Sequence, residues 1–144
     1  MINLLERRTN ITSGSLKKAG ITELAKIFSH EFSAMGFDID TLPGGQIDMP
    51  SCPGSDHSID LADHVLSSKS GNGKRLLLMG HLNTVFPPYS PFQSYRRGGD
   101  RVPKLSVGDM EGGLMVTLDA LKGLDARGLL EDMAVNYRSL SFRR

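Results

Sequence analysis

The run Leu76-Leu77-Leu78-Met79, closed by Gly80-His81, constrains this chain more than any other stretch. Consecutive apolar residues without alternation read as a strand buried on both faces, the habit of strands in helix-covered α/β sheets. The run ends in a histidine, and open α/β sheets gather their ligand-handling groups beyond the carboxyl ends of their strands. His81 is therefore a candidate metal ligand. A second segment, Gly108-Asp109-Met110-Glu111-Gly112-Gly113, places a carboxylate directly before a helix expected to begin near Met110. Asp109 is the second candidate, and the two ligand types are expected to converge at one edge of the sheet.

A chain of 144 residues with 39% hydrophobic content suits one domain with a modest core. Lys plus Arg, 17 in all, nearly balance 16 Asp plus Glu, so no global field draws in nucleic acid or an anionic membrane. Cys52 is the only cysteine, which excludes an internal disulfide and a multi-cysteine zinc cage and fits a reducing compartment. Residues Met1 to Arg8 contain no apolar core of signal-peptide length, and no run elsewhere is long enough to span a bilayer. The expectation is a soluble, cytoplasmic protein.

Apolar residues at Ile21, Leu24, Ala25, Phe28, Phe32 and Met35 recur at helical spacing and predict a helix over 21–35, with Lys26, His30 and Glu31 off its buried face. Gly36 is placed to end it. Residues 37–42 alternate like a half-buried strand that Pro43-Gly44-Gly45 stops. Residues 46–57 read as a loop, being rich in Pro, Gly, Ser and Asp. A strand over 59–67 and the apolar strand over 75–79, joined by a turn at 68–73, are expected to form a hairpin.

Beyond His81, Pro87, Pro88, Pro91 and the basic stretch 96–101 predict a long loop, and loops of that length are more often functional than padding. Met110, Leu114, Leu118 and Leu121 mark the buried stripe of a second helix that ends between Gly123 and Gly128. Gly112 and Gly113 in its first turn each cost roughly 1 kcal/mol relative to Ala, which points to a close backbone approach to the sheet or to a ligand. Residues 133–140 read as one more strand, weakened by Asn136 and Arg138.

Taken together, His81-Leu82-Asn83-Thr84-Val85-Phe86-Pro87 and Val107-Gly108-Asp109-Met110-Glu111-Gly112-Gly113 resemble the paired signatures of the di-zinc glutamate carboxypeptidase, acetylornithine deacetylase, succinyl-diaminopimelate desuccinylase and aminoacylase family. Ser13-Gly14-Ser15, the first helix and Met35-Gly36-Phe37 fall in the family's order, so the resemblance runs from about residue 10 to 134 and leaves 135–144 as a divergent tail. It implies an α/β fold, part of a three-layer α/β/α sandwich of the zinc-exopeptidase type without the lid domain. It also implies hydrolysis of peptides or N-acyl amino acids at two zinc ions. His81 would bind one zinc, Asp109 would bridge both, and Asn83 stands where the family carries an aspartate that orients the metal-bound histidine. The continuation Phe86-Pro87 leans towards the carboxypeptidase branch.

The departures from the family matter as much. Asn83 is neutral, and loss of an acidic partner behind a metal-bound histidine typically costs roughly 10- to 100-fold in affinity or activity. Glu111 stands where relatives commonly carry lysine. The general-base glutamate, its neighbouring metal-binding glutamate and the later ligands find no counterpart in the tail from Asn136 to Arg144. Zinc sites use about four ligands, or three plus water when catalytic, so His81 and Asp109 alone would hold zinc weakly. The expectation is an N-terminal portion of a zinc hydrolase, inactive or weakly active by itself. The alternative is a noncatalytic binding or assembly module that pairs with another polypeptide.

The remaining polar groups read more simply. His30, His57 and His64 lack a ligand setting, and Asp56, Asp60 and Asp63 are expected to be solvated. Gly71-Asn72-Gly73-Lys74 precedes a strand, not a helix, and reads as a turn instead of a phosphate loop. Cys52 has no identifiable base partner. Arg96, Arg97, Arg101 and Lys104, like Arg138, Arg143 and Arg144, lack the aromatic platform of a nucleic-acid site and read as a solvated loop and tail.

Overall fold

The computed structural model describes residues 17–51, 55–84 and 112–140. Among these residues eight elements follow one another: α1 (Lys18–Ala34), β1 (Asp38–Leu42), β2 (Gln46–Ser51), β3 (Ser55–Asp60), β4 (His64–Lys69), β5 (Arg75–His81), α2 (Gly112–Asp125) and β6 (Ala134–Leu140). Four strands make a mixed sheet in the order β1-β4-β6-β5, and β2 and β3 form a separate antiparallel pair. The α/β class expected from the sequence is the class observed. No described helix is long and apolar enough to cross a membrane.

The first helix follows its apolar stripe, with Ile21, Leu24, Ala25, Phe28 and Phe32 buried. It begins three residues earlier than the periodicity indicates, because Lys18, Ala19 and Gly20 contribute nothing to the stripe. Its end is built as a Schellman motif. The Phe37 amide donates to the Phe32 carbonyl at 3.2 Å and the Gly36 amide to that of Ser33 at 3.0 Å, while Gly36 takes φ 78°. The accompanying apolar contact is an edge-to-face pair of Phe32 and Phe37, 5.2 Å between centroids. Lys69 of β4 donates to the Met35 carbonyl at 2.8 Å, placing a cation where the helix dipole is negative.

Both helices cover the same face of the sheet. Leu114, Leu118 and Leu121 of α2 join the α1 stripe, Val65 of β4, and Val135 and Tyr137 of β6 in one core. Phe32 stacks on Tyr137 at 4.7 Å, fastening α1 to β6 with a contact worth about 0.5–1.5 kcal/mol beyond its burial. The helices also meet at a Lys122–Glu31 ion pair of 2.5 Å. Its lysine is 40% exposed, so solvent screening limits its contribution to about 0–1 kcal/mol.

Three expectations are corrected. Residues 46–57 are not a loop: Gln46 to Ser51 pair with Ser55 to Asp60 in register, so their polar side chains mislead about a backbone bonded to its neighbour. The strand expected over 59–67 is interrupted at residues 61–63, and its halves belong to different sheets. Finally, β4 and β5 are not a hairpin, because β6 lies between them, antiparallel to β4 and parallel to β5. The Val65 amide donates to the Ser139 hydroxyl at 3.1 Å, a buried bond that helps seat β6 there.

Nor is β5 buried on both faces. Leu76 and Leu78 pack against the core. Leu77 and Met79 point the other way and are 57% and 60% exposed. With both helices on one side, the strand's apolar residues divide by parity.

Two substitutions on α2 separate its faces. Leu118 is fully buried, so Leu118→Ala should lower stability by about 2–5 kcal/mol in urea denaturation. Val116 is 65% exposed, and Val116→Ala should change stability by less than about 0.5 kcal/mol. At Gly44 an added Cβ would lie 2.2 Å from the Ala62 carbonyl oxygen, so Gly44→Ala should cost about 1–3 kcal/mol in the same measurement.

Candidate metal centre

His81 is the last residue of β5 and pairs with Leu140, the last residue of β6. Two parallel strands therefore deliver their carboxyl ends to one edge of the sheet, the edge where a βαβ crossover leaves the first strand. The crossover here contains α2, which starts at Gly112 and returns the chain to Ala134, opposite Arg75 at the amino end of β5. The start of the helix consequently belongs to the same edge as His81.

The imidazole of His81 is half-buried and held locally. Its Nδ1 lies 2.7 Å from the main-chain oxygen of Asn83. A carbonyl oxygen only accepts, so Nδ1 carries the proton and donates. In the neutral ring, Nε2 is then the unprotonated nitrogen, the form in which histidine binds metals. The turn that brings the carbonyl back is itself fixed, for Leu82, Asn83 and Thr84 are 3%, 4% and 8% exposed.

Asp109 lies outside the described residues, as do Met110, Glu111, Cys52, the motif Ser13-Gly14-Ser15, the loop from 85 to 107 and its basic groups. Gly113 is described, and among the described residues an added Cβ there would meet nothing within 4 Å, so the glycine makes no close approach to the described sheet.

Among the described residues, no three or more His, Cys, Asp or Glu side chains gather as a metal site would need. His30 is exposed on α1 and His64 opens β4 opposite Leu42. Two of the nearby acids have structural partners: Asp60 accepts from the Gln46 side-chain amide at 2.7 Å and Asp63 from the Gly44 amide at 3.2 Å. The bond from His81 to the main chain of residue 83 was beyond sequence reasoning, because a backbone acceptor leaves no mark in residue identity.

No protein-family model matches this sequence, and no characterised protein matches it in sequence. Solved structures do match the fold. Human carnosine dipeptidase 1 superposes on 97% of this chain with a TM-score of 0.76 at 11% identity, and the matched part is 31% of that enzyme. The M20 family metallo-carboxypeptidase Sso-CP2 from Sulfolobus solfataricus matches over 97% of this chain and 30% of its own, with a TM-score of 0.70 at 19% identity. A glutaminyl cyclase from Fimbriiglobus ruber matches over 96% and 43%, with a TM-score of 0.62 at 14% identity. The chain thus has the fold of part of the M20 metallopeptidases, a peptide-hydrolase type of fold, and spans about a third of the length of the two peptidases. The cyclase demonstrates that this architecture also carries a different reaction, so the fold alone does not fix the chemistry.

Proposed function

We propose that residues 1–144 form an N-terminal portion of the catalytic domain of a zinc-dependent amide hydrolase acting on peptides or N-acyl amino acids, with His81 and Asp109 as ligands of a binuclear centre. The observation that carries this reading is His81 itself, at the carboxyl end of β5 with Nδ1–H committed to the Asn83 carbonyl, which leaves Nε2 as the unprotonated ring nitrogen. That donor set fits zinc, which takes histidine nitrogen and carboxylate oxygen at four positions. Asp109, three residues ahead of α2, follows the signature that resembles the di-zinc family, and the helix start shares an edge with His81.

Zinc, when bound, polarises an amide carbonyl and brings the pKa of a bound water towards neutrality. For their part, His81 and Asp109 would hold the ions, and the turn at 82–84 would keep the imidazole aimed. Two such residues cannot complete two zinc sites, so the isolated polypeptide is expected to bind zinc weakly and to have little or no hydrolytic activity.

The alternative is an assembly module whose remaining ligands come from another polypeptide. One observation favours it. Among the described residues β5 is hydrogen-bonded on one side only, to β6, and its outer face presents Leu77 and Met79.

Calorimetric titration of the purified chain with zinc tests the metal assignment. Weak binding is expected, reduced at least about tenfold by His81→Ala and by Asp109→Asn, since losing a ligand should cost no less than losing its supporting partner. Wild-type binding that neither substitution weakens would remove both residues from the site. In a hydrolysis assay with dipeptides and N-acetyl amino acids, efficient zinc-dependent turnover by the chain alone would overturn its description as inactive. Turnover that arises only on adding a second polypeptide would select the assembly reading.

A further inference from the structure

The identity of residue 83 poses a specific problem for the zinc reading. A metal-bound histidine almost always donates its second ring N–H to a carboxylate, a backbone carbonyl or water, which sets the tautomer and aims the ring. Asn83 is uncharged where the resembling family places an acid. We propose that the main-chain carbonyl of Asn83, not the side chain at that position, is the group that positions His81 and fixes its tautomer. This rests on the reading of His81 as a metal ligand, and makes Asn83 a positioning residue through its backbone.

Three features of the turn support the assignment. The Nδ1 to oxygen distance of 2.7 Å lies at the short end of the range for N–H···O bonds. The acceptor is two residues from the ring, so the bond closes a small loop and needs no distant element to bring it into place. Leu82, at 3% exposure, belongs to the hydrophobic core together with Leu114 and Val135, so the loop carrying the acceptor is anchored from beneath. A carbonyl held in this way selects Nδ1–H whatever side chain follows its own Cα. It contributes a dipole in place of a full negative charge, and therefore orients the ring without the added basicity that a carboxylate confers.

The tautomer can be read without metal. In the metal-free full chain, at a pH where His81 is neutral, two-bond 1H–15N correlation of the imidazole should identify Nδ1 as protonated and Nε2 as bare. The same pattern should persist in Asn83→Ala and Asn83→Ser. A wild-type ring protonated at Nε2 overturns the proposal. So does a switch to the Nε2–H form in either variant whose circular dichroism matches the wild type. If both variants fail to fold, the wild-type pattern alone decides, because the carbonyl admits only the Nδ1–H form.

Zinc affinity provides a second readout. It should change by less than about threefold in Asn83→Ala, against the roughly 10- to 100-fold expected when a true orienting side chain is removed. A loss of tenfold or more in a folded variant overturns the proposal. Absence of zinc binding in the wild type would refute the metal reading, while the tautomer measurement would still judge the positioning assignment.

Discussion

The parallel pairing of β5 with β6 is the contact on which the arrangement depends. Seven consecutive register pairs, from Arg75 with Ala134 to His81 with Leu140, align the two strands in one direction. Parallel neighbours cannot be joined by a tight turn, so the chain must leave at His81, cross the sheet and re-enter at the opposite edge. That requirement places α2 over the sheet and its first turn beside the carboxyl end of β5. His81 at the end of the strand and the start of α2 at Gly112 thereby come to one edge, although residues 82–111 lie between them in the chain.

The crossover is held by packing on one side. Leu118 and Leu121 of α2 share a core with Phe28 and Phe32 of α1, and Tyr137 of β6 closes it from the sheet. Because both helices occupy the same face, the other face of β5 presents Leu77 and Met79 to solvent. Isolated exposed apolar residues are ordinary on protein surfaces, but two on one short strand at a sheet edge are the kind of surface that other strands and helices cover. The solved peptidases of this fold are about three times as long as the chain, and this face is compatible with further structure packing on it.

What the sequence disclosed and what it hid divide along the range of the interactions. Helix α1 was legible because its stripe repeats locally, and its end because Gly36 adopts a conformation that other residues avoid. The stripe of α2 was legible for the same reason. The neighbour of β5 was not, since no local pattern states that a strand more than fifty residues later will insert beside it. The apolar run reads as doubly buried because composition reports hydrophobicity and not which faces are covered. In β2 and β3, Asp48, Asp56 and Ser58 disguised a regular ladder, for backbone pairing leaves no mark in the identity of polar residues. Of the candidate site, the position of His81 at a strand end was legible. The acceptor behind it was not, being a backbone atom.

The same distinction bears on how a metal centre can tolerate change. An aspartate that orients a histidine does two things: it accepts the N–H, and its charge raises the basicity of the ring. At residue 83 the proposed arrangement separates them. Acceptance is supplied by a carbonyl that every amino acid possesses, within a turn fixed by the burial of Leu82 and Thr84. Geometry then becomes a property of the fold, whereas the charge remains a property of the side chain. Replacing an acid by Asn83 in such a turn would weaken the electrostatic support of a bound metal while leaving the imidazole aimed. On that proposal a chain of this kind would retain a preorganised imidazole even where the rest of a centre came from outside the described residues.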